Sequence, residues 1–261
     1  MHMYHEIFNR LMKLMRPFMK QQGFTSRGNN YYKRHPQGNI GIINFQRNRE
    51  GFPKFTMNIG IYSIILAKFF LAEFNQKQIR EYPLLGEYHW QARIGDVVPK
   101  HNIYRQKDKK WLNGDDKWWH YDDKTDVDAL FHEISELIAE FAIPAIDKHI
   151  TDGQLKEYWL EAAESRKKNA EIEVGELHAG IKRVRAQILR KLLILLLDSG
   201  EKEKFQIMMS EFHEYLQHHP EYIGLKRDYD RLKKDMDKNF RFDSNSKRKF
   251  EDDEEGNSSK K

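Results

Sequence analysis

The stretch "KFTMNIGIY", residues 54–62, limits the fold more than any other part of the chain. Phe55, Met57, Ile59 and Ile61 alternate with Thr56, Asn58 and Gly60. A period of two places the four apolar side chains on one face of an extended strand and the small or polar ones on the other, as in a sheet with one buried face. Two short runs precede it in "GNNYYKRHPQGNIGIINFQRNREGFP", divided by "HPQGN" and "NREGFP", which are rich in turn formers. Connections this short cannot make parallel crossovers, so the three runs form an antiparallel meander.

Helices are expected on both sides of the meander. Ile7, Leu11, Leu14, Met15 and Phe18 recur at helical spacing, with Gly23 as terminator and Met12, Met15 and Met19 as core filling. After the meander, "IILAKFFLAEFNQKQIREY" has helical composition, with Ile65, Phe69, Phe70 and Phe74 on a broad apolar face. A fourth strand follows in "EYHWQARIG", where Tyr88, Trp90, Ala92 and Ile94 alternate with His89, Gln91 and Arg93. "DVVPKHNIYRQKDKKWLNGD" is expected to be a long loop and "KWWHY" a short fifth strand. A helix capped at Thr125 or Asp126 should then run to near Pro144.

From Thr151 onward the pattern is helical. Ile181, Val184, Ile188, Leu192 and Leu195 form a stripe, Asp198 and Glu201 have the spacing of a capping box, and Pro220 opens a last helix to about Lys238. The fold class is therefore α+β over residues 1–150, a mainly antiparallel sheet with packed helices. An all-helical extension of antiparallel hairpins follows over 151–242, then a charged tail over 243–261 whose composition predicts disorder.

Composition narrows the function classes. The chain has no cysteine, which removes disulfides, thiolate catalysis and cysteine-ligated metal centres. Its longest aliphatic run, Leu192 to Leu197, falls well short of the ~20 residues of a membrane span. The N-terminal stretch also lacks the apolar core of a signal peptide, so a cytoplasmic setting away from the membrane is expected. The net charge of +5 hides an asymmetry: residues 1–121 hold 20 Lys and Arg against 9 Asp and Glu, and the remainder is acidic. A basic front part attracts anionic partners, either nucleic acid or an acidic protein surface.

The one cluster resembling chemistry is "DDKWWHYDD", residues 115–123. His120, Asp122 and Asp123, with Asp115 and Asp116, are the candidates for metal binding or acid–base work. If residues 117–121 form a strand, however, Trp118 and His120 share one face while Trp119 and Tyr121 share the other. At about 3.3 Å per residue the two aspartate pairs then sit at opposite ends, where acids also cap turns and favour a helix N-terminus. In "HEYLQHH" His213 and His218 are five apart, whereas a zincin helix needs four. His132 and Glu136 have the i, i+4 spacing common on helix surfaces. No P-loop or nucleophile elbow occurs, and "EKEK" at 201–204 begins a helix where a nuclease would need a strand. Nothing calls for a cofactor.

Arg27, Lys33, Arg34, Arg47, Arg49 and Lys54 surround the meander, interleaved with Tyr31, Tyr32, Phe45 and Phe55. A sheet with bordering cations and exposed aromatics can bind nucleic acid by charge and stacking, although Phe55 belongs to the apolar alternation. Binding of a protein partner has the broadest support. Helical hairpins joined to an α+β domain offer grooves and edges, and exposure of the Leu192–Leu197 run would mark such a surface.

In order along the chain, "GFTSRGNNYYKR", "IINFQRNR", "FTMNIGIY", "ARIGDVV" and "DKWWHY" resemble a bacterial family filed as domain of unknown function 4304. The resemblance covers roughly the first 120 to 150 residues. It implies a compact α+β domain and brings no established activity or catalytic residues. The reading is a non-enzymatic bacterial interaction module with a protein partner, plausibly an accessory subunit of a larger complex. Direct nucleic-acid binding stands second and a metal-dependent hydrolase built on residues 115–123 third. The oligomeric state is not fixed by the sequence.

Overall fold

The structure, a computed structural model, describes residues 2–48, 50–73, 78–113, 116–172 and 176–238. The tail from residue 243 lies outside them. The chain divides into two compact units, one through Leu155 and one from Lys156.

The first unit is organised by β4 (Lys54–Tyr62), which realises the "KFTMNIGIY" alternation. The sheet runs β1 (Thr25–Arg27), β2 (Asn30–Arg34), β3 (Ile40–Arg47), β4 and β5 (Trp90–Arg93), all antiparallel, with β6 (Trp119–His120) also paired to β4. Register aligns like with like. Ile43 faces Ile59 and Phe45 faces Met57, while on the other face Asn44 lies opposite Asn58 and Gln46 opposite Thr56. Two chemically distinct faces follow from this pairing alone.

Helices cover the apolar face. From α1 (His2–Gln21), Phe8 meets Phe55 edge-on at 5.4 Å and Met12 sulfur accepts from the Tyr31 hydroxyl. The helix stops at Gly23, which takes φ 84° and lets the Phe24 N–H reach back to Met19 O, a left-handed C-terminal cap. Beside it lies α6 (Val127–Leu137), capped by Asp126, whose carboxylate accepts from the N–H groups of Asp128 and Ala129. The helical path passes Pro144. A π turn over Ile138–Ala142 leads into α7 (Ile143–Asp147), placing the proline in the first turn of that helix, the position where proline is best tolerated. Against β3, Ile146 of α7 packs so closely that Gly41 has no room for a Cβ.

Three sequence expectations are corrected in this unit. The helix after the meander, α2 (Ile64–Glu73), is shorter than its composition suggests, and residues 78–89 are non-helical. Tyr88 leaves the β5 alternation and joins Tyr32, Ile40, Ile42, Tyr62 and Ala67 in a cluster on the other side of the sheet, with its ring over Gly60. The expected loop carries α3 (Ile94–Val97), α4 (Ile103–Lys107) and α5 (Lys109–Leu112). Asn102 and Asp108 cap the last two, and Trp111 is fully buried.

The second unit is helical. It comprises α8 (Asp152–Ile172), which begins at the boundary, then α9 (Glu176–Asp198), α10 (Lys202–His218) and α11 over residues 223–238. A short turn with Gly200 at φ 72° joins α9 to α10 as an antiparallel hairpin, tied by an Arg185–Glu211 ion pair. The Asp198–Glu201 capping box does not form. Asp198 ends α9, and Glu201 instead pairs with Lys156 and Lys204, which hold its carboxyl down at about 2. Of the α9 stripe, Leu192 and Leu195 are buried, together with Ala186, Leu189, Leu193, Ile194 and Leu196, whereas Val184 is exposed. No described helix is long and apolar enough to cross a membrane.

Candidate functional site

The same strands that bury Phe45, Phe55 and Met57 present a second row of side chains on the opposite face. Strand alternation and register put Asn30 of β2, Asn44 and Gln46 of β3, Thr56 and Asn58 of β4, and Gln91 and Arg93 of β5 side by side. The amides form a ladder across three strands. Asn44 Nδ2 donates to Asn30 Oδ1 at 2.7 Å, and Asn58 Nδ2 donates to Asn44 Oδ1 at 2.9 Å and to Gln46 Oε1 at 3.0 Å. Amide side chains are poor strand formers, so a ladder of them is not what sheet stability alone would select. Thr56 is fully buried on this face, and its hydroxyl has no hydrogen-bond partner among the described residues.

Only half of this face is open. At one end the Tyr32 cluster is roofed by Ile64, Ile79, Tyr82 and Leu85, and Tyr32 donates its hydroxyl to Pro83 O at 3.3 Å. Where the roof ends, a cavity of about 380 Å³ opens between Leu85–Gly86 and the sheet, lined by Gln46, Asn58, Gln91, Arg93 and Asp96. Asp96 accepts from the Arg93 N–H at 2.7 Å and so fixes the start of α3. Next along the face, the Arg93 guanidinium stands 3.4 Å from Asp116 and 6.0 Å from the Trp118 ring, and Lys54 Nζ lies 5.1 Å from the same ring. Burial raises the Asp116 carboxyl above its ordinary value despite the neighbouring arginine.

Beyond Trp118 comes His120, held below the ordinary histidine value by burial first, then by the positive charges of Lys54 and Lys110. A second cavity, about 460 Å³, is lined by Tyr104, Lys107, Asp108, Lys109, Lys110, Lys117 and Glu133. Lys117 is its buried member. Its ammonium lies 3.1 Å from Asp108 and 3.4 Å from Glu133, near the rings of Trp111 and Trp119. Burial pushes the Asp108 carboxyl up, but hydrogen bonds from Lys117 and from the Trp111 N–H outweigh it and leave the group below its usual value.

The structure sorts the six cations of the sequence reading. Arg27, Arg34 and Lys54 belong to the polar face; Arg27 and Arg34 sit over the Tyr82 ring, and Arg34 also pairs with Glu81. Lys33 lies on the helix-covered side and pairs with Asp147 at 2.6 Å, and Arg47 on that side stands over Phe8. Arg49 is outside the described residues. Of the interleaved aromatics, Tyr31, Phe45 and Phe55 are core, and Tyr32 is under the roof.

The aspartates around the paired tryptophans have separate roles. Trp119 and Tyr121 are buried with Phe55, while Trp118 and His120 take the polar face. Asp122 closes a turn, accepting from the Lys124 N–H and the Thr125 hydroxyl at 3.0 Å each, and Asp123 is exposed beside it. Asp116 is spent on Arg93, and Asp115 is outside the described residues. Among the described residues no three His, Asp or Glu side chains gather as they would around a metal ion. The histidines of 213–219 are likewise dispersed. His213 stacks on Tyr229 and His219 on Tyr215, and His132 pairs with Glu136 on an exposed surface.

Sequence reasoning passed over Asn44, Gln46, Gln91, Arg93 and Trp118 as parts of a surface. The signal was present: in "IINFQ", "FTMNIG" and "WQAR" the polar half of each alternation is amide-rich. Register alone brings these halves together.

An antiparallel sheet with one face packed under helices and one polar face partly roofed defines an α+β domain with an open polar sheet surface. Residues 15–148 match the family described as Domain of unknown function (DUF4304), and the chain belongs to that family. No curated protein and no solved structure gives a significant match.

Proposed function

We propose that the chain is a non-enzymatic interaction module, an accessory subunit that recognises its partner with the polar face of its sheet, in a bacterial cytoplasm. The observation that carries this reading is the Asn30–Asn44–Asn58–Gln46 ladder, which keeps donors and acceptors half-buried beside a cavity. Each amide can make more hydrogen bonds than the ladder uses, and a partner that meets those donors and acceptors at this face gains them. The Leu192–Leu197 run does not compete as the recognition surface, since Leu192 to Leu196 are buried.

The test is affinity purification of the full-length chain from its host beside a Gln91→Arg variant, compared by quantitative mass spectrometry. Gln91 is exposed on β5, so the variant keeps its helical circular dichroism and melting temperature. A partner held by the parent chain should be lost from the variant. Equal recovery from both overturns the assignment of the polar face.

A further inference from the structure

We propose that the polar face, continuing past Trp118 and His120 onto the lysines of residues 107–110, is a track for single-stranded nucleic acid. The inference rests on the reading of that face as the recognition surface and names its ligand. Three features select this chemistry. First, the amides of Asn30, Asn44, Gln46, Asn58 and Gln91 offer donors and acceptors together. Base edges present both, whereas an acidic peptide side chain or a bare phosphate asks only for donors.

Second, cations border the amides along the face. Arg27 stands at one end over Tyr82, Lys54 and Arg93 flank Trp118 in the middle, and exposed Lys107, Lys109 and Lys110 extend the far end. Lys117 is the lysine held by carboxylates there. Lys54 lies opposite His120 in the β4–β6 register, and Lys117, beside Trp118, shares a cavity with Lys107, Lys109 and Lys110, which joins the sheet edge to that segment. Residues 1–121 as a whole carry 20 basic against 9 acidic side chains, the sign that complements phosphate. Third, the geometry favours single strands. A half-exposed indole beside Lys54, with Arg93 held by Asp116 on its other side, can stack a base next to a cation that neutralises its phosphate, and the cavity under Leu85–Gly86 admits an unstacked base that a duplex does not present.

The experiment is fluorescence anisotropy with the full-length chain and end-labelled mixed-sequence oligonucleotides of about 15 residues, as RNA, as DNA and as the annealed DNA duplex. At least one single strand should bind at about 50 mM salt, with the duplex about tenfold weaker; the RNA and DNA arms identify the sugar. The Arg27→Glu/Lys54→Glu pair should weaken binding about tenfold or more and flatten the salt dependence, by about 0.7 in the log–log slope for each phosphate no longer neutralised. Lys107→Glu/Lys109→Glu should act in the same direction from outside the sheet. Lys13→Glu/Lys20→Glu, the same charge change on the exposed side of α1 across the sheet, should change affinity less than about threefold.

No binding, equal binding of duplex, an equal loss from the α1 pair, or displacement by polyglutamate as effective as by unlabelled oligonucleotide overturns the proposal. If oligonucleotides fail while Gln91→Arg still sheds its partner, the recognition face stands and only this ligand is withdrawn. If Gln91→Arg keeps its partner, the recognition reading fails with it.

Discussion

The two faces of the sheet are made by the same strands, alternate residue by alternate residue, yet they have been put to different uses. On the helix-covered face, Phe55 stacks on Trp119 at 5.3 Å and meets Phe8, Phe45 and Tyr121 within about 6 Å, so each ring is fixed by several others. On the polar face the corresponding rows are amides that bond chiefly to one another, beside a cavity and a hydroxyl without a partner. Packing of the first kind stabilises through area and close contact. Pairing of the second kind contributes only about 1 kcal/mol for each bond, because water serves the same groups in the unfolded chain. A single step along each strand therefore leads from side chains that hold the fold together to side chains that contribute little to its stability.

The sharpest way to break this comparison is Phe55→Ala. Removing a fully buried ring from the aromatic cluster should cost about 3–5 kcal/mol in urea unfolding. A cost below about 1 kcal/mol would mean that the helix-covered face is not where stability resides. Next come the two glycines that admit close neighbours. At Gly60 a Cβ would lie 2.2 Å from the Tyr88 ring, and at Gly41 2.4 Å from Ile146 Cγ2. Alanine should therefore destabilise at both positions by about 1–3 kcal/mol. Gly60→Ala should be the worse, since the whole Tyr88 ring is wedged in the roofed cluster while one Ile146 methyl can rotate away.

How much of this could be read in advance depends on the range of the forces involved. The β4 alternation, the α1 stripe with its Gly23 stop, and the opposite faces of Trp118 and Trp119 are local patterns, and each was legible. The antiparallel meander was legible too, since its connections are short. The early end of α2 and the departure of Tyr88 were not, because both are set by packing onto strands distant in sequence. The helices at 94–112 announced themselves only through the caps at Asn102 and Asp108, which are modest signals amid charged residues. For the site, Arg27, Arg34 and Lys54 were legible as cations, but not that Lys33 and Arg47 point to the other side of the sheet. The amides of each strand were legible, but their union in one ladder was not, since three strands contribute to it and register exists only once they pair.

Smaller effects are expected on the polar face. Asn44→Ala removes a donor to Asn30 and an acceptor for Asn58, yet Asn58 keeps Gln46 and half-buried Asn30 can turn to water. The cost should be about 1 kcal/mol. A loss as large as that of Phe55→Ala would show the ladder to be a structural device.

The last and smallest test is Thr56→Val, because there the two roles predict opposite signs. The Thr56 hydroxyl is buried at 0 % exposure without a hydrogen-bond partner among the described residues, so the folded state leaves it worse off than water does. Replacing it by a methyl group of nearly the same shape relieves that cost, and unfolding stability should stay level or rise by up to about 1 kcal/mol. A residue retained for stability would not behave so. The lack of exposure also keeps this hydroxyl from a ligand, so the same variant should bind the single strand as the parent chain does. If Thr56→Val instead loses more than about 1 kcal/mol, the hydroxyl is already satisfied within the fold. The polar face would then be a second structural face, and the contrast between the two would collapse.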